Sequence, residues 1–291
     1  KRSIIFFLII TLSISALHSQ VKQDHSYCNR DFDIAKELFF EKQYSVSYDY
    51  FQRVLQTPQL EADVKAEAEY YIAANSYYLK RSDALDVLET YLEKYPYTPM
   101  RSKVYYMVGR LYYDKKNYSE TLKKYGQVRQ KQLDKSDVED YLFSMGYSQL
   151  MLKQYPAASK TFKSIKEYGH PYTKDAEYYY AYSEFCQKNY KPSLESFINI
   201  DESSKYYEAA QFHSLQIYDQ IGYRSEAVKL GKELLSKYPK SKYKTEAYRI
   251  LGENSYHQQN WDDVIIYLSK YANSEEKIQR SDMYMVRCNL C

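Results

Sequence analysis

The sequence predicts an all-α solenoid of antiparallel helix hairpins, and three observations carry that expectation: scarce turn formers, a repeating two-helix period, and a regular exchange of small for large side chains inside it. Glycine and proline number only seven each in 291 residues, too few for a globular fold with many turns, so the helices are long and their connections brief. Tyrosine reaches 38 residues beside 11 phenylalanines and one tryptophan. Such rings pack well and still offer a polar end to water.

The charge is nearly balanced, with 41 Lys and Arg against 38 Asp and Glu for a net +3. Two of those positive charges are Lys1 and Arg2. Nucleic-acid binding draws most of its affinity from neutralising phosphates, so this composition speaks against it. The four cysteines, Cys28, Cys186, Cys288 and Cys291, are too few and too widely spread to form a disulfide framework.

The first element is a leader. Lys1-Arg2 precedes an apolar run from Ile4 to Ile10 and on to Leu17, and the chain turns polar at His18-Ser19-Gln20, the order of a secretory signal peptide over 1–19. The run is shorter than the ~20 residues that span a bilayer, which favours cleavage after Ser19 over retention as an anchor. Residues 20–30 read as a short linker, and Cys28 lacks the apolar lead-in of a lipid attachment site.

From 31 to 291 the chain repeats itself. The residues expected to open the second helix of each hairpin are Tyr44, Arg81, Tyr118, Tyr155, Tyr190, Arg224 and Trp261, spaced 34 to 37 apart. Nine places before these anchors stand Ala35, Ile72, Gly109, Gly146, Ala181, Leu215 and Gly252, and three after stand Ser47, Ala84, Thr121, Ala158, Ser193, Ala227 and Val264. Seven after come Phe51, Leu88, Tyr125, Phe162, Phe197, Gly231 and Leu268. Offsets of three and seven lie on one helix face. Two short helices approach closely where one side chain shrinks and its neighbour fills the space, and stacked copies bury what one hairpin cannot. Pro58, Pro96, Pro171 and Pro239 fall where second helices should stop. The pattern gives about seven hairpins, and the helical pattern still running at Cys291 reads as the first helix of an eighth, in a truncated chain.

This spacing of small and aromatic residues, with its late proline, resembles the tetratricopeptide repeat (TPR) family across roughly 31–291. Departures are Arg81 and Arg224 at aromatic places, Ile72 and Leu215 at small ones, and Gly231 at a large one. The resemblance implies a right-handed superhelical solenoid whose first helices line a concave groove, with groove residues twelve, eight and five places before the anchors. Those places hold Tyr106, Arg110 and Tyr113 in hairpin three, and Phe143, Tyr147 and Leu150 in hairpin four. They hold Tyr178, Tyr182 and Phe185 in hairpin five, and Arg249, Glu253 and Tyr256 in hairpin seven. An aromatic wall of this kind suits an extended or helical peptide. The Lys and Asn pair with which some members clamp a C-terminal carboxylate is missing from these stripes.

Nothing in the sequence points to catalysis, a metal or a cofactor. Cys288-Asn289-Leu290-Cys291 has no second Cys or His pair, His25, His170, His213 and His257 are scattered singly, and no glycine-rich phosphate loop occurs. The expected function is an exported scaffold for protein–protein interaction in a bacterial envelope, in the periplasm or at the outer-membrane periphery, in the style of exported envelope TPR scaffolds. Its partner is a protein or peptide of unknown identity, and peripheral association with membrane complexes and self-association both fit. The alternatives are a spacer or self-association arm of a larger protein, and a non-catalytic region of an enzyme whose catalytic domain lies beyond 291.

Overall fold

The computed structural model describes residues 30–58, 60–168 and 172–274. The expected leader, Cys28, the His170-Pro171 turn, the eighth-hairpin segment and the Cys288–Cys291 pair lie outside them. Among the described residues fourteen α-helices occur in seven hairpins, with no strand. Two compact units divide them, Lys1–Leu133 and Asp134–Cys291. The first holds α1 (30–40), α2 (Tyr44–Leu55), α3 (Ala62–Tyr78), α4 (Ala84–Lys94), α5 (Arg101–Asp114) and α6 (Tyr118–Tyr125), followed by a 3-10 turn at Gln130–Gln132. The second holds α7 (Lys135–Met151), α8 (Tyr155–Tyr168), α9 (Thr173–Cys186), α10 (Tyr190–Ile198), α11 (Tyr207–Ile221), α12 (Arg224–Lys237), α13 (Lys244–His257) and α14 (Trp261–Ala272).

Each hairpin turn is built by one residue in the left-handed region, two places before the second helix in six hairpins. Lys42, Lys116, Lys153, Lys188 and Gln259 sit there at φ between 57° and 63°, and Gly222 at 78°. The next residue's N–H then closes on the carbonyl five back, as in Asn117 to Tyr112 at 2.9 Å and Asn260 to Ser255 at 3.0 Å, the Schellman closure that ends the first helix. Asn117 and Asn260 also accept from the N–H three residues on, at 3.3 Å, and so cap the second helix. A side chain in this region is strained by about 1–2 kcal/mol relative to glycine. Lys116→Gly is therefore expected to raise stability by up to about 1 kcal/mol after the extra flexibility of the unfolded chain is counted. Gly222→Ala should lower it by a similar amount, so thermal melts of the two variants should move in opposite directions.

Six second helices open at the expected anchors, and α4 is the exception. In the second hairpin the left-handed residue is Lys80, φ 54°, and Arg81 N–H closes on Ser76, so Arg81 takes the place that Asn117 holds in the third hairpin. The hairpin is one residue shorter between this turn and its buried Ala84, its first turn is tight, and Ala84 N–H bonds Arg81 at 3.2 Å. The small residue nine before the corrected position, Ser82, is Ala73, fully buried, and not Ile72.

The interlock of small and large residues is the packing unit. A β-carbon placed on Gly109 would lie 2.3 Å from Tyr125 Cε1, and one on Gly252 2.4 Å from Leu268 Cδ2. In the first and fifth hairpins, where the small residue is alanine, the serine three after the anchor bonds its carbonyl, Ser47 to Ala35 at 2.9 Å and Ser193 to Ala181 at 2.8 Å. In hairpin six the roles are exchanged, with a buried Leu215 at the small place and Gly231 at the large one. Leu251 of α13 lies 2.9 Å from where a Gly231 β-carbon would stand. The two departures in the sequence are thus compensated by one another and by the next hairpin. Tyr95 and Tyr238, each just before proline, leave the helix at φ −124° and −125°, as the clash with the proline ring requires.

Candidate functional site

The expected groove residues sit on first helices, and the structure sorts them by depth. Tyr106, Tyr178, Phe185 and Leu150 are buried. Arg110, Tyr113, Phe143, Tyr147, Tyr182 and Arg249 are half-buried, while Glu253 and Tyr256 are exposed. In the first unit Tyr106 stacks on Tyr125 with ring centres 6.4 Å apart, so it belongs to the hairpin core. Arg110 lies over the Tyr113 ring at 4.8 Å and pairs with Asp114 at 3.4 Å.

In the second unit the residues twelve before the anchors Tyr155, Tyr190 and Arg224 have a job that the groove reading missed. Phe143 stacks on Tyr172 at 4.7 Å and 18°, Tyr178 on Tyr206 at 4.4 Å and 8°, and Phe212 on Tyr243 at 4.3 Å and 11°. Tyr172, Tyr206 and Tyr243 are the N-cap residues of α9, α11 and α13. Each ring of one hairpin is thus laid flat on the tyrosine that begins the next. The signal is present in the sequence as a tyrosine eighteen places before Tyr190, Arg224 and Trp261. Offset-stacked pairs of this kind contribute roughly 0.5–1.5 kcal/mol beyond their buried area.

The same rings enclose His213 of α11. It is buried, with Tyr182, Phe185 and Phe197 ring centres 5.2, 5.3 and 5.4 Å away. Its Nδ1 lies 2.9 Å from Gln216 Oε1, so the tautomer with the proton on Nδ1 donates there. Burial lowers its pKa to about 4, against the small opposing effect of that hydrogen bond. Burial likewise pushes the hydroxyls of Tyr178 and Tyr182 well above the ordinary tyrosine range. They act as neutral rings and donors, not as acids.

Tyr147 and Tyr182, eight places before their anchors, stay partly accessible on this face. Tyr147 stacks on Phe143 at 6.4 Å and meets Tyr179 edge-on at 5.3 Å, and Tyr182 stacks on Tyr178 at 6.2 Å. Both rings are fixed by these neighbours, and each side chain stays half-buried. The arrangement is a pre-ordered aromatic surface, which binds with little loss of side-chain entropy. In hairpin seven the stripe changes character: Arg249 bonds Glu246 at 2.7 Å and Glu253, with Asp219 3.9 Å away. Burial works against that charge, and the carboxylates more than offset it, so the Arg249 pKa is raised. Among the described residues no three His, Cys, Asp or Glu side chains gather as a metal site.

No family profile and no curated protein matches this chain. Solved structures do. The C-terminal part of a TPR repeat-containing protein from Cytophaga hutchinsonii has a TM-score of 0.53 and 16% identity over 86% of this chain and 97% of its own. The MamA protein has a TM-score of 0.50 and 16% identity over 62% of this chain and 94% of its own. At this level of identity the likeness is one of fold, and the fold is the all-α hairpin solenoid of the tetratricopeptide repeat.

Proposed function

We propose that this solenoid is an exported scaffold of a bacterial envelope, in the periplasm or at the outer-membrane periphery, which holds a segment of another protein against the aromatic face of α7 and α9. The observation that carries the reading is the half-buried pair Tyr147 and Tyr182, each held in place by a stacked ring and only partly covered. Rings held in this way offer pre-ordered apolar area to a peptide, as recognition hot spots do. The order of residues in 1–19 supports export.

The test is capture by the Tyr147→Ala/Tyr182→Ala protein. A photo-reactive phenylalanine at position 150 is unsuitable because Leu150 is buried, so the probe belongs at Met151, exposed and one turn beyond Tyr147 on the same helix face. Cross-linking from Met151 to an envelope protein should fall about tenfold in the double variant, the effect of losing 1–2 kcal/mol of contact, with circular dichroism unchanged. Undiminished cross-linking overturns the groove.

A further inference from the structure

One edge of the second unit carries apolar and cationic side chains on a row of turn tips. Helices α7 to α14 pack each on the next with alternating direction, so the turns that end α7, α9, α11 and α13 share that edge. Neighbouring tips touch: Gln258 Nε2 donates to Ser225 Oγ at 3.3 Å, and Asn254 Nδ2 to Asp219 Oδ1 at 2.7 Å. Leu152, Ile221, Tyr223, Tyr256 and Trp261 are all exposed there, with Tyr223 and Trp261 at 55%. Segments 151–155, 187–190, 221–224 and 257–261 contain Lys153, Lys188 and Arg224 and no carboxylate at all. Asp262 and Asp263 follow the last of them, and Asp263 is engaged by Lys232 at 2.7 Å. Lys153 and Lys188 are the left-handed turn residues themselves, so the hairpin geometry sets each at a tip.

We propose that this edge docks the second unit on the anionic headgroups of a lipid bilayer, with Trp261, Tyr223 and Ile221 entering the interface. The apolar side chains are spread over three turn tips, Leu152 on one, Ile221 and Tyr223 on the next, and Tyr256 edge-on to Trp261 at 5.6 Å on the last. A protein partner would need a matching pit for each. A bilayer accepts isolated tips at once, takes Tyr and Trp rings at headgroup level, and pairs the interspersed cations with phosphates. Among the described residues no helix is long and apolar enough to cross a membrane. This edge stands apart from the groove, which uses Tyr147 and Tyr182.

Trp261 is the only tryptophan of the chain, so its emission reports this edge whatever the leader does. The full chain is mixed with vesicles of phosphatidylcholine alone or with phosphatidylglycerol added. The expected result is a blue shift of Trp261 and its quenching by brominated lipid with phosphatidylglycerol vesicles only, weakened by salt. The Lys153→Glu/Lys188→Glu protein, with unchanged circular dichroism, should need about tenfold more anionic lipid or greater for the same shift, while Tyr147→Ala/Tyr182→Ala should behave as the parent. Emission that stays unshifted, that shifts equally with phosphatidylcholine, or that is indifferent to the charge reversal overturns the proposal. So does a shift seen only when envelope proteins replace the vesicles, which would assign the edge to a protein.

Discussion

Phe162→Ala is expected to destabilise the second unit by about 3–5 kcal/mol, at the upper end for truncation of a core aromatic. The ring is fully buried, and its Cε1 and Cζ stand 3.0 Å from where a Gly146 β-carbon would be. It also stacks on Tyr179 at 5.5 Å and meets Phe143 edge-on at 6.0 Å. Removing it empties the place where α7, α8 and α9 meet, and the short helices have no spare bulk to collapse inward. The reverse error is also costly: Gly109→Ala should lose about 1–3 kcal/mol by overpacking, since Tyr125 is almost wholly buried and has no room to retreat. Urea unfolding followed by circular dichroism measures both. A Phe162→Ala loss below about 1 kcal/mol would mean that the exchange of small for large residues is not what holds the hairpins together.

Acidification is expected to remove about 3 kcal/mol through His213 alone. Its pKa is depressed to about 4 in the folded chain from 6.5, so between these values the unfolded chain binds a proton that the folded chain refuses. Stability from this group is complete above about pH 6.5 and is lost as pH falls toward about 4, with 1.36 kcal/mol for each pKa unit. Carboxylates respond over part of the same range, so the comparison is with His213→Leu. As the pH is lowered from 7 to 4.5, the urea midpoint of the parent should fall relative to that of His213→Leu. Parallel pH profiles would show that His213 protonates freely in the fold.

Much of this architecture was legible because it depends on local chemistry repeated seven times. The K-N-Y and K-Q-Y runs at Lys116, Lys153 and Lys188 mark a turn residue, a polar residue after it and a helix-opening ring, and six second helices begin where the periodicity places them. The second hairpin escaped because a single residue is missing next to its turn, and counting from Arg81 then lands on Ile72 instead of Ala73. The groove stripes were less legible. A helix period shows which residues share a face, but not whether the adjoining hairpin covers it, and Tyr178 and Phe185 are covered.

The sequence by itself determined the helices, their pairing and the interlock of Gly109, Gly146 and Gly252 with large partners, because each of these follows from a contact at fixed separation along the chain. Only the tertiary structure decided which aromatic rings became core. Tyr178 and Phe212 are buried beneath Tyr206 and Tyr243 of the following hairpin, while Phe143, Tyr147 and Tyr182 stay half-buried and His213 is closed off from water. The reason is that burial is a property of neighbours packed in space, and a ring of the same type at the same helical position meets solvent or another ring according to what the next repeat lays against it.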